Sequence, residues 1–433
     1  MKLFQQMLVA GASLSLIAPL AAQADINVEG IKDYSNKSSK KFNSETFTNE
    51  LAVLNESVDN LEVKMNEFEA ASFSDTTTMD TKVVFTVGGT DHSLIQTDNE
   101  DSVKFAYTLQ SNLNTSFTGD DNLYIRLKTG NHTGKFVNKD YGTYLSAGNS
   151  NGDALKVDKI WYQFPLGDRN TVWVGPKIEN YYMHGTSPSI YQPVTKQFTL
   201  GGNGEAYGAS TSQGAGWAFK ADNGFAVSTN IVSKSDSSCK TPVSATCQTS
   251  SGSYYNTGLL GKQTKTSWAT QVGITKPQYS ASVLVNQKYN GWSDSYFHSK
   301  QHGPSASDGN FSAIGLRGWW RPLDSGSATP SVSLGYDTTS YSGAPAASDN
   351  STAWFAGLTW QDMFSADDKI GIAFGQPTTN EDETTDPFAY EAYYQFKLND
   401  SVTMTPTVFG GTDRNGTAGE DIFGALVNTT FKF

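Results

Sequence analysis

The sequence predicts an all-β transmembrane barrel of about 16 antiparallel strands, preceded by a short periplasmic coiled-coil helix. Three observations carry that expectation. Apolar and polar residues alternate with a period of two from Thr81 to the last residue. The alternating runs are joined in turn by short turns and by mostly longer loops. The chain also opens with an export signal. Composition agrees: in 433 residues charged side chains make up 17%, aromatics 12%, and there are 40 Gly. Ordinary soluble domains carry roughly 25% charged residues. After the leader no apolar stretch is long enough, at ~18 residues, to cross a membrane as a helix. The net charge of -12 opposes a nucleic-acid partner, which would require a basic face.

Residues 1–24 read as a signal peptide. Lys2 supplies the positive start, Met7 to Leu20 the apolar stretch, and Ala22-Gln23-Ala24 a small-x-small cleavage site. A membrane anchor is the alternative, but the run is short and Pro19 breaks it. Residues 25–78 form a periplasmic tether and coiled coil. Phe47, Leu51, Leu54, Val58, Leu61, Met65 and Phe68 follow an unbroken a/d spacing, with Ser44 placed to cap the helix. Such a helix, ~33 Å long, is marginal alone in water. It either packs against its own domain or associates with other copies.

The barrel domain occupies 79–433. Its clearest run places Phe105, Tyr107, Leu109, Leu113 and Phe117 on one face, with Lys104, Thr108, Gln110, Asn112 and Asn114 on the other. That is long for a soluble strand and suits a tilted strand in a bilayer. In order the predicted strands are 81–90, 102–117, 121–130, 157–164, 171–179, 205–221, 224–232 and 266–275. The second half gives 277–288, 311–320, 330–339, 351–361, 368–376, 388–398, 401–411 and 421–433. Joining 205–221 across Gly208, Gly214 and Gly216 keeps the number even. Both chain ends then lie on the short-turn rim, as in bacterial outer-membrane barrels. The last strand ends in Phe433, with Phe423, Ala425, Val427 and Phe431 on the same face.

This parity points Lys104, Arg126, Lys128, Lys159 and Lys177 into the lumen as a basic wall, together with Trp161 and Trp173. The two tryptophans could stack on sugar rings or belong to an interfacial aromatic belt. Tyr181, Tyr182 and Tyr191 lie in the long loop 180–204. Asp91, Asp98, Glu100 and Asp101 fall in the first long loop. Glu381, Asp382, Glu383 and Asp386 fall in the seventh, and Asp413, Glu420 and Asp421 in or beside the eighth. Barrel closure would make these loops neighbours and form an acidic arc at the outer mouth. Cys239 and Cys247, in a Ser/Thr-rich loop, are either a local disulfide or two free thiols, and an oxidising compartment favours the disulfide. The chain carries no HExxH, GxSxG, P-loop or dinucleotide glycine pattern, so no catalytic residue, metal or cofactor is expected. His298 and His302 are four apart, but their loop has no helical pattern and no third ligand.

Five segments carry a family resemblance: FSDTTTMDTKVVFTVGG, KIWYQFPLGDRNTVWVGP, TKPQYSASVLVNQKYNGW, AWFAGLTWQDMFSADDKIGIAFGQP and EAYYQFKLNDSVTMTPTVFGG. With the upstream coiled coil they resemble the porins of the cyanobacterial outer membrane, related to the carbohydrate-selective porin (OprB) family. The resemblance implies a sixteen-stranded homotrimer in outer-membrane lipid, in a Gram-negative-type bacterium. It also implies a water-filled channel passing inorganic ions, iron among them in some members' naming, and small hydrophilic solutes. A carbohydrate-selective channel and a tether between outer membrane and cell wall are the competing readings. Such porins usually carry an S-layer-homology domain before the coiled coil; here about twenty residues occupy that place, so wall contact through such a domain is in question. The loop 180–204 takes the position of the constriction loop of general porins.

Overall fold

The computed structural model of the chain describes residues 76–92, 102–133, 144–202, 204–207, 211–234, 259, 261, 264–290, 292, 310–342, 350–380 and 383–433. The expected signal peptide, the expected seam from Phe47 to Phe68 and both cysteines lie outside the described residues. Sixteen strands close into one antiparallel barrel, each paired with its sequence neighbours and the last with the first. They are β1 (Thr77–His92), β2 (Lys104–Thr115), β3 (Asn122–Gly130), β4 (Lys156–Pro165), β5 (Asn170–Glu179), β6 (Thr211–Lys220), β7 (Phe225–Lys234) and β8 (Lys265–Thr275). Then follow β9 (Tyr279–Tyr289), β10 (Asn310–Trp320), β11 (Ser331–Ser342), β12 (Asn350–Gln361), β13 (Lys369–Asn380), β14 (Phe388–Asn399), β15 (Val402–Thr412) and β16 (Ile422–Lys432). No helix among the described residues is long and apolar enough to cross a membrane.

Closure satisfies every strand edge, which is the condition for placing a sheet in hydrocarbon. β1 and β16 pair from Lys82 opposite Lys432 to His92 opposite Ile422. Inside the seam Thr86 Oγ1 donates to Asn428 Oδ1 at 2.7 Å. The period-two pattern places apolar residues outward: Phe105, Val174, Trp268, Val283 and Leu334 are all exposed on the outer wall. That is the band such a barrel presents to lipid. At the short-turn rim aromatic groups gather, Phe117 with Tyr162 and Phe164, and Phe364 with Tyr394 and Phe396.

Two of the short turns share one device. Asp121 accepts from Ser116 Oγ and from the backbone N–H groups of Phe117 and Thr118, while Tyr162 Oη donates to its other oxygen at 2.6 Å. Asp368 accepts from the N–H groups of Met363, Phe364 and Ser365 and from Tyr394 Oη. In each case a turn carboxylate ties its own hairpin to the next strand. These hydrogen bonds hold both carboxyls below their ordinary range.

One predicted strand is shorter than expected. β6 begins at Thr211, not at 205, and Gly204–Tyr207 forms a single helical turn, α1. The parity argument for joining 205–221 counted the strand but placed its first residues wrongly. They belong to the preceding loop, whose Ala206 and Tyr207 are buried against Ala269, Leu284 and Ala313 of the barrel wall.

Candidate functional site

The segment between β5 and β6 folds into the barrel and crosses it. It leaves Glu179 through a helical turn, Asn180–Met183. The wall then holds it strand by strand. Ser228 of β7 accepts from the Gly185 N–H at 3.0 Å, and Gln271 of β8 bonds both the N–H and the carbonyl of Thr186. Trp319 of β10 donates to Ser187 O, and Ser333 of β11 accepts from the N–H groups of Ile190 and Tyr191. On the far wall Glu391 of β14, 1% exposed, accepts from Tyr191 Oη, Val194 N, Thr195 N and Thr195 Oγ1. Four donors satisfy a carboxylate that has left water.

The return path is held by Arg317 of β10. Its Nη2 donates to both oxygens of Asp337 at 3.0 and 2.8 Å, its Nε donates to Leu200 O at 2.8 Å, and the guanidinium lies over the Tyr207 ring. Gly201 and Gly202 have φ of 77° and 114° here. A Cβ on Gly201 would lie 2.5 Å from Arg317 Cδ, so the close approach as well as the turn requires glycine. The loop between β3 and β4 adds a second layer: Leu145 bridges Thr195, and Ser146 N donates to Val194 O at 2.7 Å. Burial depresses His184 to about 3 and also lowers Lys196, while it raises the Tyr181 and Tyr191 hydroxyls. His184 and the tyrosines of this loop therefore stay neutral at ordinary pH.

The expected basic wall divides in three. Arg126 and Lys159 lie on the inner face but are paired: Arg126 with Asp158 at 2.6 Å and Glu179 at 3.1 Å, Lys159 with Glu179 at 2.9 Å. Asp158 reaches Arg126 because it is the extra residue of a bulge between β3 and β4. Lys128 stands opposite Gln110 and Lys156, and Lys104 is half-buried on the face of Ala106 and Thr108, so both share the inner face. Lys177 does not. A register shift in β5 sets it opposite Ile160, on the face away from Lys159 and Trp161, and its Nζ donates to Val157 O. Simple alternation from Trp173 cannot register a bulge, and one extra residue reverses every side chain beyond it.

Trp161 and Trp173 are buried on the inner face, 4% and 7% exposed. Trp161 stacks on Tyr124 at 4.4 Å and meets Tyr182 at 5.2 Å; Tyr182 stacks on Tyr181 at 4.9 Å. Trp173 Nε1 donates to Gln163. The rings cover one another up to the loop, where Tyr182 is 42% exposed and Tyr181 lines open space. That space is a cavity of about 830 Å³ beneath the loop. Its lining includes Lys82, Lys196, Lys369, Lys397 and Lys432, with Asp367 as the single acid among the described residues. These lysines were legible: on the same alternation Lys82, Lys369, Lys397 and Lys432 fall on polar faces beside the short turns.

Of the acidic arc, Asp98, Glu100, Asp101, Glu381 and Asp382 lie outside the described residues. Asp91 is not in the loop; it belongs to β1, opposite the outward Phe423. The seventh and eighth loops do touch, through Thr384 Oγ1 on Gly416 O, Glu383 belonging to the same loop as Thr384. Asp386 accepts from Gln376 Nε2, Asp413 Oδ1 accepts from Gly419 N, Asp421 Oδ1 from Asp413 N, and Glu420 pairs with Arg414. Part of the arc therefore holds its own loops in shape. Among the described residues no group of His, Cys, Asp and Glu could hold a metal ion.

The sequence profile described as "Carbohydrate-selective porin, OprB family" matches residues 39–433. An uncharacterized protein of Nostoc sp. is 25% identical over 428 residues, spanning 90% of this chain and 71% of its own length. One from Synechocystis sp. is 32% identical over 145 residues, 30% of this chain and 24% of its own. Among solved structures, OprB of Pseudomonas putida superposes with a TM-score of 0.56 at 11% identity, covering 83% of this chain and 94% of that one. The anion-selective porin from Comamonas acidovorans gives 0.54 at 10% identity, over 83% and 99%. At these identities the structural likeness is one of fold.

Proposed function

We propose that this chain, which belongs to the carbohydrate-selective porin (OprB) family, forms an outer-membrane channel for passive diffusion of saccharides and other small hydrophilic solutes. The observation that carries the reading is the ring series Tyr124–Trp161–Tyr182–Tyr181, which runs along the inner wall and presents its last member to the cavity. Aromatic faces suit the C–H faces of pyranose rings, and the hydroxyls and amides around the cavity suit their edges. The pinned loop limits the passage to small solutes. The family description favours saccharides over a channel chiefly for inorganic ions, and nothing in it names iron. It also favours a channel over an enzyme. A homotrimer in outer-membrane lipid is the assembly we infer, with the N-terminal seam as one source of association.

Liposome swelling and planar-bilayer recording test this. Maltose is expected to swell loaded liposomes and to reduce the KCl current, and Tyr181→Ala to raise the half-blocking maltose concentration several-fold. A KCl current with sugars excluded would replace the reading with an ion channel. Absence of any current would favour the tether.

A further inference from the structure

The cavity beneath the loop is strongly basic in a chain whose net charge is -12. Its lysines come from β13, β14, β16 and β1 around the short-turn rim, with Thr403 and Thr405 of β15 between them and one more lysine from the loop above. In the ladder Lys369 faces Gln395, Lys397 faces Thr403, Thr403 faces Thr430, and Lys432 faces Lys82. Like charges directly opposite in a sheet repel. Yet Lys82 and Lys432 form such a pair, and among the described residues no carboxylate lies within ion-pair distance of either. The one acid of the lining, Asp367, is engaged with Lys397 at 2.8 Å. Lys369 reaches Gln192 Oε1 of the loop at 3.2 Å, and Lys196 lies over the Tyr144 ring. The surplus is therefore about four positive charges around 830 Å³, with threonine hydroxyls and amides between them.

We propose that this cavity is a binding site for phosphate-type oxyanions, carried either by inorganic phosphate or by a phosphorylated sugar. A phosphate presents several oxygens to several donors at once, and charge-assisted bonds to ammonium groups are the strong ones. A neutral sugar can accept hydrogen bonds from Lys82 and Lys432 but cannot offset their charge, and chloride can satisfy the pair only as a single point charge. The site lies at the short-turn rim, the periplasmic side in barrels of this kind, so it receives solutes that have passed the loop. The phosphorylated-sugar arm rests on the saccharide reading; the inorganic-phosphate arm does not.

Titration calorimetry on the detergent-extracted full chain at ~0.05 M salt, where screening is weak, tests the proposal without requiring conduction. Inorganic phosphate and glucose 6-phosphate are expected to bind saturably, and glucose to compete with neither. The double variant K82Q/K432Q is expected to raise the half-saturating phosphate concentration about tenfold, the equivalent of one strong charged contact. K82R/K432R is expected to retain binding. Heat-modifiable gel mobility reports assembly, and K369Q provides the same comparison should the double variant not assemble. Tighter binding of glucose 6-phosphate than of phosphate would identify the sugar as part of the ligand; equal binding would identify the oxyanion alone. Absent phosphate binding, or binding undiminished in K82Q/K432Q and K369Q, overturns the proposal. Sugar exclusion with phosphate binding intact would overturn the saccharide reading and leave the site standing.

Discussion

Glu391 is a buried carboxylate held by hydrogen bonds from the loop, with Tyr191, Val194 and Thr195 as donors. Glutamine at this position keeps the shape but presents an amide N–H₂ to groups that are themselves donors. Leaving a buried donor unmet costs about 1–3 kcal/mol, and more than one is affected. Glu391→Gln is therefore expected to loosen the loop, seen as faster proteolysis within 190–198 and noisier single-channel current; unchanged traces would show that other anchors suffice. The turn carboxylates give a pH prediction. Asp121 and Asp368 are held below their ordinary range in the folded chain. Their contribution is present above the unfolded carboxylate pKa of ~3.9 and is lost as pH falls through the lower folded value. Thermal midpoints should therefore fall steeply only below about pH 4, and Asp121→Asn with Asp368→Asn should flatten that limb. A drop already present near neutral pH would assign acid sensitivity to other groups.

At the scale of elements, bulges decide which side chains meet. The β5 shift turns Lys177 outward, and the β3–β4 bulge turns Asp158 toward Arg126. Lys177→Gln should accordingly leave ion selectivity unchanged, whereas K82Q/K432Q should shift the reversal potential toward cations. Equal shifts from both would mean that Lys177 faces the lumen. The seam expected from Phe47 to Phe68 is the source of association proposed above. Leu54→Asp with Leu61→Asp places charges at two d positions, which knobs-into-holes packing cannot accept. Loss of detergent-stable trimers, or trimers that melt at lower temperature, is the expected result on a native gel. Unchanged trimers would leave association to the barrel walls.

Across the whole molecule two charge systems stand at opposite rims. Lysines surround the inner cavity, while acids lie in the seventh and eighth loops at the other rim. A mouth field reaches only ~8–10 Å at physiological salt but roughly 30 Å at 0.01 M. Weak anion preference is thus expected in ~1 M KCl, set by the lysines, with a shift toward cations at ~0.05 M as the acidic loops act further. Reversal potentials across a KCl gradient at both mean concentrations read this directly. Firm cation preference at each would make the loops dominant.

Strand number, closure and most boundaries were legible in the sequence: 388–398 became Phe388–Asn399, and 311–320 became Asn310–Trp320. The reason is that one sheet separates lipid from water, so every residue of a strand must declare its side, and the declaration is local. The same locality explains why Trp161, Arg126 and Lys159 could be assigned to the inner face. What lies beyond alternation was not legible. Whether Arg126 is free or neutralised depends on Glu179, 53 positions away, and the course of the loop depends on Glu391, 196 positions from Thr195. Such contacts leave no periodic trace, because the loop answers to a surface assembled from strands as far apart as β7 and β14 rather than to its own neighbours. A bulge likewise depends on the register with the adjoining strand. Local chemistry determined that this chain is a closed barrel with a polar interior; only the assembled wall decided which charges are cancelled, and which surround the cavity unopposed.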